Sequence, residues 1–220
     1  MDTDDWLADT RTSYDTVAAS YADHMREALD EAPYVRAALT LFANLVHTNE
    51  PTNEPTDAPV ADVGCGPGHV TAHLHGLGLN TFGIDLSPKM IDVARHEHPG
   101  IRFDVGSMTD LDLPDASMAG LLAFWSLVHL PDDALPGVFA HFRRVLRPAA
   151  PLMLGFHAGE GSKLKTEGYG GHPMNVHVHR RQPTDISAAL RNAGFAIEAH
   201  LLLSPDAPLP GAILFARSLP

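Results

Sequence analysis

A single cysteine, Cys65, occurs among the 220 residues, so the chain can form no intramolecular disulfide. Such sparse cysteine usage is typical of proteins in a reducing cytoplasm. The sequence also has no apolar run near the roughly 20 residues that span a bilayer. Its acidic start, Met1-Asp2-Thr3-Asp4-Asp5, lacks the charged-then-apolar pattern of a secretion signal. We therefore expect a cytoplasmic protein with no membrane partner.

Positive charge is scarce as well. The chain has 15 Lys and Arg residues against 27 Asp and Glu residues, a formal net charge of −12. Nucleic acids and anionic membranes are bound through a basic footprint, so this balance disfavours both as partners. The length suits one domain with a sizeable core and fits a monomer or a homodimer equally well.

The most informative segment is a short apolar run that leads into three alternate glycines. It reads Val60-Ala61-Asp62-Val63-Gly64-Cys65-Gly66-Pro67-Gly68, and the next apolar run closes at Asp85. Glycines permit a sharp turn and a close approach to a ligand, and the helix that follows offers unpaired N–H groups. A carboxylate ending the second strand could accept hydrogen bonds from a ribose diol. Together these features predict a nucleoside pocket.

From residue 60 onward, apolar runs alternate with helical patterns. This alternation predicts an α/β fold, a Rossmann-like, doubly wound and mostly parallel sheet of seven strands with helices on both faces. The predicted strands are Val60–Val63, Thr81–Ile84, Ile101–Val105, Ala119–Phe124 and Leu152–Phe156. The predicted helices are His69–Leu77, Pro88–Glu97, Leu135–Leu146 and Pro183–Ala193. Two late runs without a helix between them, Ala196–Leu203 and Ala212–Arg217, predict an antiparallel hairpin at the sheet edge.

The flanking segments indicate the domain organisation. Residues 1–47 are predicted to form an N-terminal helical cap or lid, since apolar residues recur at helical spacing from about Thr12 to Val46. Residues 48–59 repeat Thr-Asn-Glu-Pro twice and are predicted to form a Pro-rich surface loop. Residues 60–220 would form the core. Its long segment at about 157–182 is predicted to be a variable lid over the acceptor.

The glycine run, with Asp62 before it and Gly83-Ile84-Asp85-Leu86-Ser87 after it, resembles two motifs of the class I S-adenosylmethionine-dependent methyltransferases. The resemblance extends over nearly the whole chain from Tyr14 and is to small, actinomycete-type members, which include natural-product tailoring enzymes. It implies transfer of a methyl group from S-adenosylmethionine to the oxygen, nitrogen or sulfur of a small molecule. The product of the cofactor would be S-adenosylhomocysteine.

The resemblance also implies which residues hold the cofactor. The glycines would approach its methionine part, Asp85 its ribose hydroxyls, and Leu86 and Met90 its adenine. Ser107 stands where the family often has Asp, and a hydroxyl is a weaker acceptor than a carboxylate. The implied set is Tyr14, Tyr21, Asp62, Gly64, Cys65, Gly66, Gly68, Asp85, Leu86, Met90, Ser107, Met108, Phe124 and Trp125.

Alternative interpretations stay open for the aromatic members of that set. The pattern Tyr-Asp-x-x-Ala-x-x-Tyr from Tyr14 to Tyr21 resembles a lid that folds over the cofactor, but it also fits two core tyrosines of an amphipathic helix. Trp125 follows the fourth predicted strand, at the reaction centre of the family, and core packing explains it equally well.

Methyl transfer needs a positioned nucleophile and, often, removal of a proton, for which histidine is the usual side chain near neutral pH. We predict that one of His129, His157 and His179 faces the acceptor, although each also fits a structural or surface role. His177 and His179 would share one face of a strand, but a zinc site needs further ligands. We therefore predict no metal.

Two other functions remain open. The chain could be an S-adenosylmethionine-binding protein of the same fold with a sensing or non-methylating role. It could also be a nicotinamide-dependent oxidoreductase, against which the G-x-G-x-G spacing counts, since dinucleotide-binding proteins have G-x-G-x-x-G.

One turn departs from the family's pattern. The chain has Arg147-Pro148-Ala149-Ala150-Pro151 where the family commonly has Pro-Gly-Gly. Without these glycines we expect the turn to be confined to negative φ.

Overall fold

The structure, a computed structural model, describes residues 5–49 and 58–220. Its helices are α1 (Asp5–Met25), α2 (Pro33–Thr48), α3 (His69–Gly76), α4 (Pro88–Glu97), α5 (Leu135–Val145) and α6 (Pro183–Asn192). Its strands are β1 (Val60–Val63), β2 (Thr81–Asp85), β3 (Arg102–Val105), β4 (Gly120–Phe124), β5 (Pro151–His157), β6 (Ser162–Gly168), β7 (His172–His179), β8 (Phe195–Leu203) and β9 (Gly211–Ser218).

A seven-stranded sheet organises the molecule, in the order β3-β2-β1-β4-β5-β9-β8. Strands β1 to β5 pair in parallel, whereas β9 runs antiparallel to both β5 and β8. The predicted Rossmann-like fold and its antiparallel edge hairpin are confirmed. The strand order reverses between β1 and β4, and open sheets of this kind bind ligands beyond the strand ends at that reversal.

Apolar side chains on both faces explain why the central strands are buried. All four residues of β1 are buried, as expected for a strand covered by helices on both sides. On one face, Phe139 and Phe142 of α5 pack with Leu121 of β4. On the other face, Phe42 of α2 packs with Leu122 of β4. Leu121 and Leu122, successive residues of β4, thus pack into the core on opposite faces of the sheet.

Two segments differ from the prediction. The N-terminal helical region begins at Asp5 rather than about Thr12 and is divided into two helices by residues 26–32. Much of the predicted variable lid forms the hairpin β6–β7, which is exposed along much of its length and so lacks a clear apolar alternation. The predicted Pro-rich loop falls largely on residues 50–57, which lie outside the described residues. Within the described ranges, no helix is both long and apolar enough to cross a membrane.

The turn before β5 was expected to be confined to negative φ, because it lacks the glycines that the family commonly has there. Ala149 adopts a φ of +62°, so the expected restriction to negative φ is wrong. Hydrogen bonds to the end of β9 hold this conformation. The Ala149 N–H donates to the Ser218 carbonyl at 3.0 Å, and Arg217 Nη1 donates to the Ala149 carbonyl at 2.7 Å.

Polar contacts of α1 fix its place over the sheet. Asp15 Oδ1 accepts hydrogen bonds from Ser87 Oγ at 2.6 Å and from the Lys89 N–H at 3.1 Å, at the start of α4. Ser87 is the N-cap of α4 and accepts from the Met90 N–H. On the opposite side, the Asn175 N–H of β7 donates to Ser13 Oγ at 2.8 Å. Helix α1 is therefore held between α4 and the β6–β7 hairpin.

We expect Asp15→Ala to lower the free energy of unfolding by about 1–3 kcal/mol, because it leaves the Ser87 hydroxyl and the Lys89 N–H without this acceptor. Urea denaturation of the full chain measures the change. The matched control is Thr16→Ala on the exposed side of the same helix, where about 0.5 kcal/mol or less is expected. Equal stability of the two variants would show that the α1–α4 contact contributes nothing measurable.

Candidate cofactor and acceptor site

A cavity of about 980 Å³ lies beyond the carboxyl ends of β1, β2 and β4, under α1 and the β6–β7 hairpin. Pockets for small ligands span about 300–1,000 Å³, so this one has room for two ligands side by side. The predicted site residues that line it are Tyr14, Tyr21, Gly64, Cys65, Gly66, Asp85, Leu86, Met90, Ser107, Met108, Phe124, Trp125, His129 and His157. Three others, Asp62, Gly68 and His179, do not line it.

Asp85 and the glycine loop form one wall of the cavity. The Gly66 N–H donates to Asp85 Oδ2 at 2.8 Å, and the Ser87 N–H donates to Oδ1 at 2.8 Å. A carboxylate oxygen has two lone pairs, so each oxygen can accept a second hydrogen bond from a ligand. Burial raises the pKa of Asp85 to about 6, although the two N–H donors oppose that rise. The carboxylate is therefore mostly ionised at neutral pH.

Only glycine fits at position 64. Its φ is +78°, and a Cβ added there would lie 2.2 Å from the Cβ of Ser126 in the loop after β4. That serine is held in place because its Oγ donates to the Val63 carbonyl at 2.8 Å. The close approach joins the glycine loop to the loop after β4.

Asp62 supports the glycine loop from behind. Its side chain is 1% exposed, and its Oδ2 accepts a hydrogen bond from Thr71 Oγ1 of α3 at 2.6 Å. Burial raises the pKa of Asp62 to about 7. The residue thus ties β1 to the helix that follows the loop.

The loop after β3 contributes polar and apolar groups to the same cavity. Ser107 Oγ lies 2.7 Å from Thr109 Oγ1 and accepts from the Thr109 N–H at 3.2 Å. A ligand amino group would have to share the Ser107 oxygen with these partners. Met108 and Met90 supply apolar surface nearby.

Trp125, directly after β4, lines the cavity as well. Its φ of +52° is unusual for a bulky residue and is the kind of backbone strain found at functional sites. The indole packs so closely on the backbone that a Cβ added to Gly155 would lie 2.7 Å from the ring. Indole Nε1 donates to His157 Nδ1 at 3.3 Å. Trp125 therefore both packs against the core and lines the cavity.

Hydrogen bonds decide which nitrogen carries the proton in the two cavity histidines. His129 Nδ1 lies 2.8 Å from the His177 carbonyl, which can only accept, so Nδ1 is protonated. The lone pair of His129 Nε2 then accepts from the Tyr14 hydroxyl at 2.6 Å. In neutral His157 the reverse holds, because Nδ1 accepts from Trp125 and leaves Nε2–H as a donor. His129 thus has a basic nitrogen at the cavity and His157 a donor.

Burial sets the charge state of the Tyr14–His129 pair. It lowers the pKa of His129 to about 4 and raises the pKa of Tyr14 well above its ordinary value. Both groups are therefore neutral at pH 7. His179, the third predicted catalytic residue, lies on β7 with its ring centroid 6.0 Å from that of His177.

Comparisons with known proteins find similarity to methyltransferases. Residues 60–149 match a family model described as a methyltransferase domain. The chain is 34% identical over 99 residues to N-demethylindolmycin N-methyltransferase of Streptomyces griseus, covering 43% of this chain and 42% of that relative. It is 30% identical over 154 residues to a ubiquinone biosynthesis O-methyltransferase of Xanthomonas axonopodis pv. citri, covering 64% of each. The chain is thus similar to methyltransferases, and residues 60–149 carry the match to the domain model.

A solved structure of similar fold is the 1,6-didemethyltoxoflavin-N1-methyltransferase of Burkholderia thailandensis, with 1,6-didemethyltoxoflavin and S-adenosylhomocysteine bound. It has a TM-score of 0.71 and 22% identity, and the superposition covers 100% of this chain and 92% of that one. The chain spans 35% to 42% of the length of the first curated relatives that it matches.

Sequence reasoning missed a buried arginine, Arg181, next to the turn that carries His129. The guanidinium of Arg181 is paired with Asp132 at 2.9 Å and donates to the Leu127 carbonyl at 3.0 Å and to the Leu130 carbonyl. These contacts hold the turn that carries His129. A charged residue at the end of the variable segment was the only signal in the sequence.

Three tyrosine rings from α1 and the β6–β7 hairpin pack together where these elements cover the cavity. The ring centroids of Tyr14 and Tyr21 lie 5.9 Å apart, and that of Tyr169 in the hairpin lies 4.6 Å from Tyr21. Lys165 Nζ lies 3.8 Å from the centroid of the Tyr169 ring. The sequence predicted a lid role for both Tyr14–Tyr21 and the variable segment, but not that the two would meet.

We expect the affinity for S-adenosylhomocysteine to be constant above about pH 7 and to fall below pH 6, by up to about tenfold per pH unit, because protonation of Asp85 removes an acceptor. Calorimetric titration from pH 5 to pH 8 measures it. In Asp85→Asn the affinity should be weaker and the pH dependence lost. Persistence of the same pH dependence in that variant would assign it to another group.

We expect Gly64→Ala to weaken S-adenosylhomocysteine binding at least about tenfold and to lower the free energy of unfolding by about 2 kcal/mol or more, since the added methyl meets Ser126 and the φ is positive. The control is Gly137→Ala in α5, where an added Cβ meets nothing within 4 Å. That variant should bind normally. Normal binding by Gly64→Ala would contradict the close fit of the two loops.

Proposed function

We propose that this protein transfers the methyl group of S-adenosylmethionine to a small-molecule acceptor. The observation that carries the proposal is the shared cavity, which Asp85 and the glycine loop line together with Trp125 and His129. The ribose would bind to Asp85, the adenine beside Leu86 and Met90, and the methionine part along the glycine loop. The sulfonium methyl would then face Trp125 and His129.

The Tyr14–His129 pair offers a route for the acceptor's proton. Bound S-adenosylmethionine would supply an electrophilic methyl carbon for the acceptor's lone pair, and its sulfur would keep the electron pair of the broken carbon–sulfur bond. The acceptor's proton passes to the Tyr14 oxygen while the Tyr14 proton passes to His129 Nε2, 2.6 Å away. Transfer removes the positive charge of the sulfonium, so the charge that arrives on His129 meets less repulsion than it would before the reaction.

Charge in the cavity wall suggests the class of acceptor. Although the chain has a net charge of −12, the wall includes four cationic side chains, those of Arg11, Lys163, Lys165 and Arg180. The aromatic rings of Trp125 and Tyr169 line the same space. We infer that the acceptor is a planar small molecule with a carboxylate or another anionic group.

The proposal also includes the lid over the cavity, the cellular location and the oligomeric state of the protein. We infer that α1 and the β6–β7 hairpin act as a lid on the methyltransferase core. We also infer a cytoplasmic protein, monomeric or homodimeric, that acts on neither nucleic acid nor membranes. The single cysteine and the acidic composition support these inferences.

Incubation with S-adenosylmethionine labelled in its methyl group and a panel of aromatic acids and their amides tests the proposal. We expect a labelled acid among the products. His129→Gln should lower the rate by about 100-fold or more, since it removes the proton acceptor, with S-adenosylhomocysteine affinity changed less than about threefold.

The control for that experiment is His172→Gln, an exposed histidine on the hairpin that does not line the cavity, which should keep the wild-type rate. Labelling of amides alone would contradict the inference of an anionic acceptor. Tight binding of S-adenosylhomocysteine without transfer to a panel extended with cell metabolites would favour a sensing or non-methylating role. Binding of NAD in its place would favour an oxidoreductase.

A further inference from the structure

A second, smaller cavity of about 610 Å³ lies beside the first, between the start of α3 and the end of α4. Three potential metal ligands meet there, namely His69, Glu97 and His98. One ligand atom from each lies within 4.8 Å of the other two. His73, one helical turn after His69, lines the same cavity. Among the described residues, this is the only group of three such ligands.

The ring nitrogens at this place are buried without partners. Both nitrogens of His69, together with Nε2 of His73 and Nε2 of His98, lack a hydrogen-bond partner in the described part of the chain. Buried polar atoms in folded proteins are nearly always paired, so four orphan nitrogens in one cluster call for a ligand.

The carboxylate of the cluster is oriented toward the histidines. Glu97 Oε2 lies 4.0 Å from His69 Nδ1, whereas Oε1 accepts from Arg26 Nη2 at 3.1 Å. The side chain of Arg26 is 57% exposed, so it can move into solvent when a cation arrives. Arg26 is therefore a counter-ion of Glu97 that a metal cation can displace.

We propose that His69, Glu97 and His98 bind a divalent zinc ion. Two imidazole nitrogens and one carboxylate oxygen form a ligand set that suits zinc, with His73 or water in the fourth position. Bonds of about 2.0–2.1 Å in tetrahedral geometry place ligand atoms about 3.4 Å apart, so the three groups need to move inward by little more than 1 Å. Side-chain rotation supplies such a movement.

The site would be structural and would act on the neighbouring cofactor cavity. His69 is the first residue of α3, directly after the glycine loop, and it lines both cavities. A Cβ added to Gly68 would lie 3.1 Å from the His98 ring, so α4 already touches the loop at this point. Zinc would link the two helices that follow β1 and β2 and hold the loop in its turn. The prediction of no metal considered only His177 and His179.

Zinc titration of the tag-free, chelator-treated full chain tests the proposal by calorimetry, and Co²⁺ absorption bands report tetrahedral geometry. We expect one ion per chain and a rise in melting temperature with zinc concentration, as for any ligand of the native state. His98→Gln and Glu97→Gln should each weaken binding at least about tenfold, and both remove the rise in melting temperature at the wild-type saturating concentration.

The matched control is His75→Gln, an exposed histidine on α3 outside the cavity, which should bind zinc as the wild type does. Circular dichroism tests whether each variant is folded. If His98→Gln does not fold, Glu97→Gln alone provides the test. Absence of binding by the wild type would overturn the proposal. Wild-type affinity in both ligand variants would place the ion elsewhere and overturn it as well. Neither result depends on methyl transfer.

Discussion

The carboxylate of Asp85 is the constraint on which the rest of the site depends. It receives N–H groups from the glycine loop and from Ser87, and so joins the ends of β1 and β2. Ser87 in turn caps α4 and donates to Asp15 of α1. The carboxylate of Asp85 therefore helps to position the glycine loop, α4 and, through Ser87, α1, which covers the cavity. Its raised pKa is a consequence of this central, desolvated position.

Hydrogen-bond partners, rather than residue types, divide the chemical roles of the two histidines that line the cavity. His129 lies in the turn after β4 and His157 is the last residue of β5, yet a carbonyl fixes the proton of one and an indole fixes that of the other. Arg181 holds the turn of His129 in place from outside the cavity. His129 therefore supplies an acceptor nitrogen and His157 an N–H donor to the same cavity, which is also lined by Tyr14, Tyr21 and Tyr169.

The sequence was sufficient for the sheet, because its central parallel strands are buried on both faces and read as apolar runs between helices. The helix Pro88–Glu97 was predicted with its observed bounds, and the structure shows Ser87 as its N-cap. The β6–β7 hairpin could not be predicted, since its strands are stabilised by α1, far away in the sequence. Asp15 stood inside the quoted Tyr14–Tyr21 pattern, but only the fold shows its partner. His69 and His98 meet across two helices, which no spacing in the sequence reveals.

A crystal structure of the protein with S-adenosylhomocysteine would show directly whether Asp85 holds the ribose. We predict that both ribose hydroxyls donate to the carboxylate of Asp85 and that the sulfur lies along the glycine loop, facing Trp125 and the Tyr14–His129 pair. A ligand bound elsewhere, or with its ribose away from Asp85, would contradict this prediction.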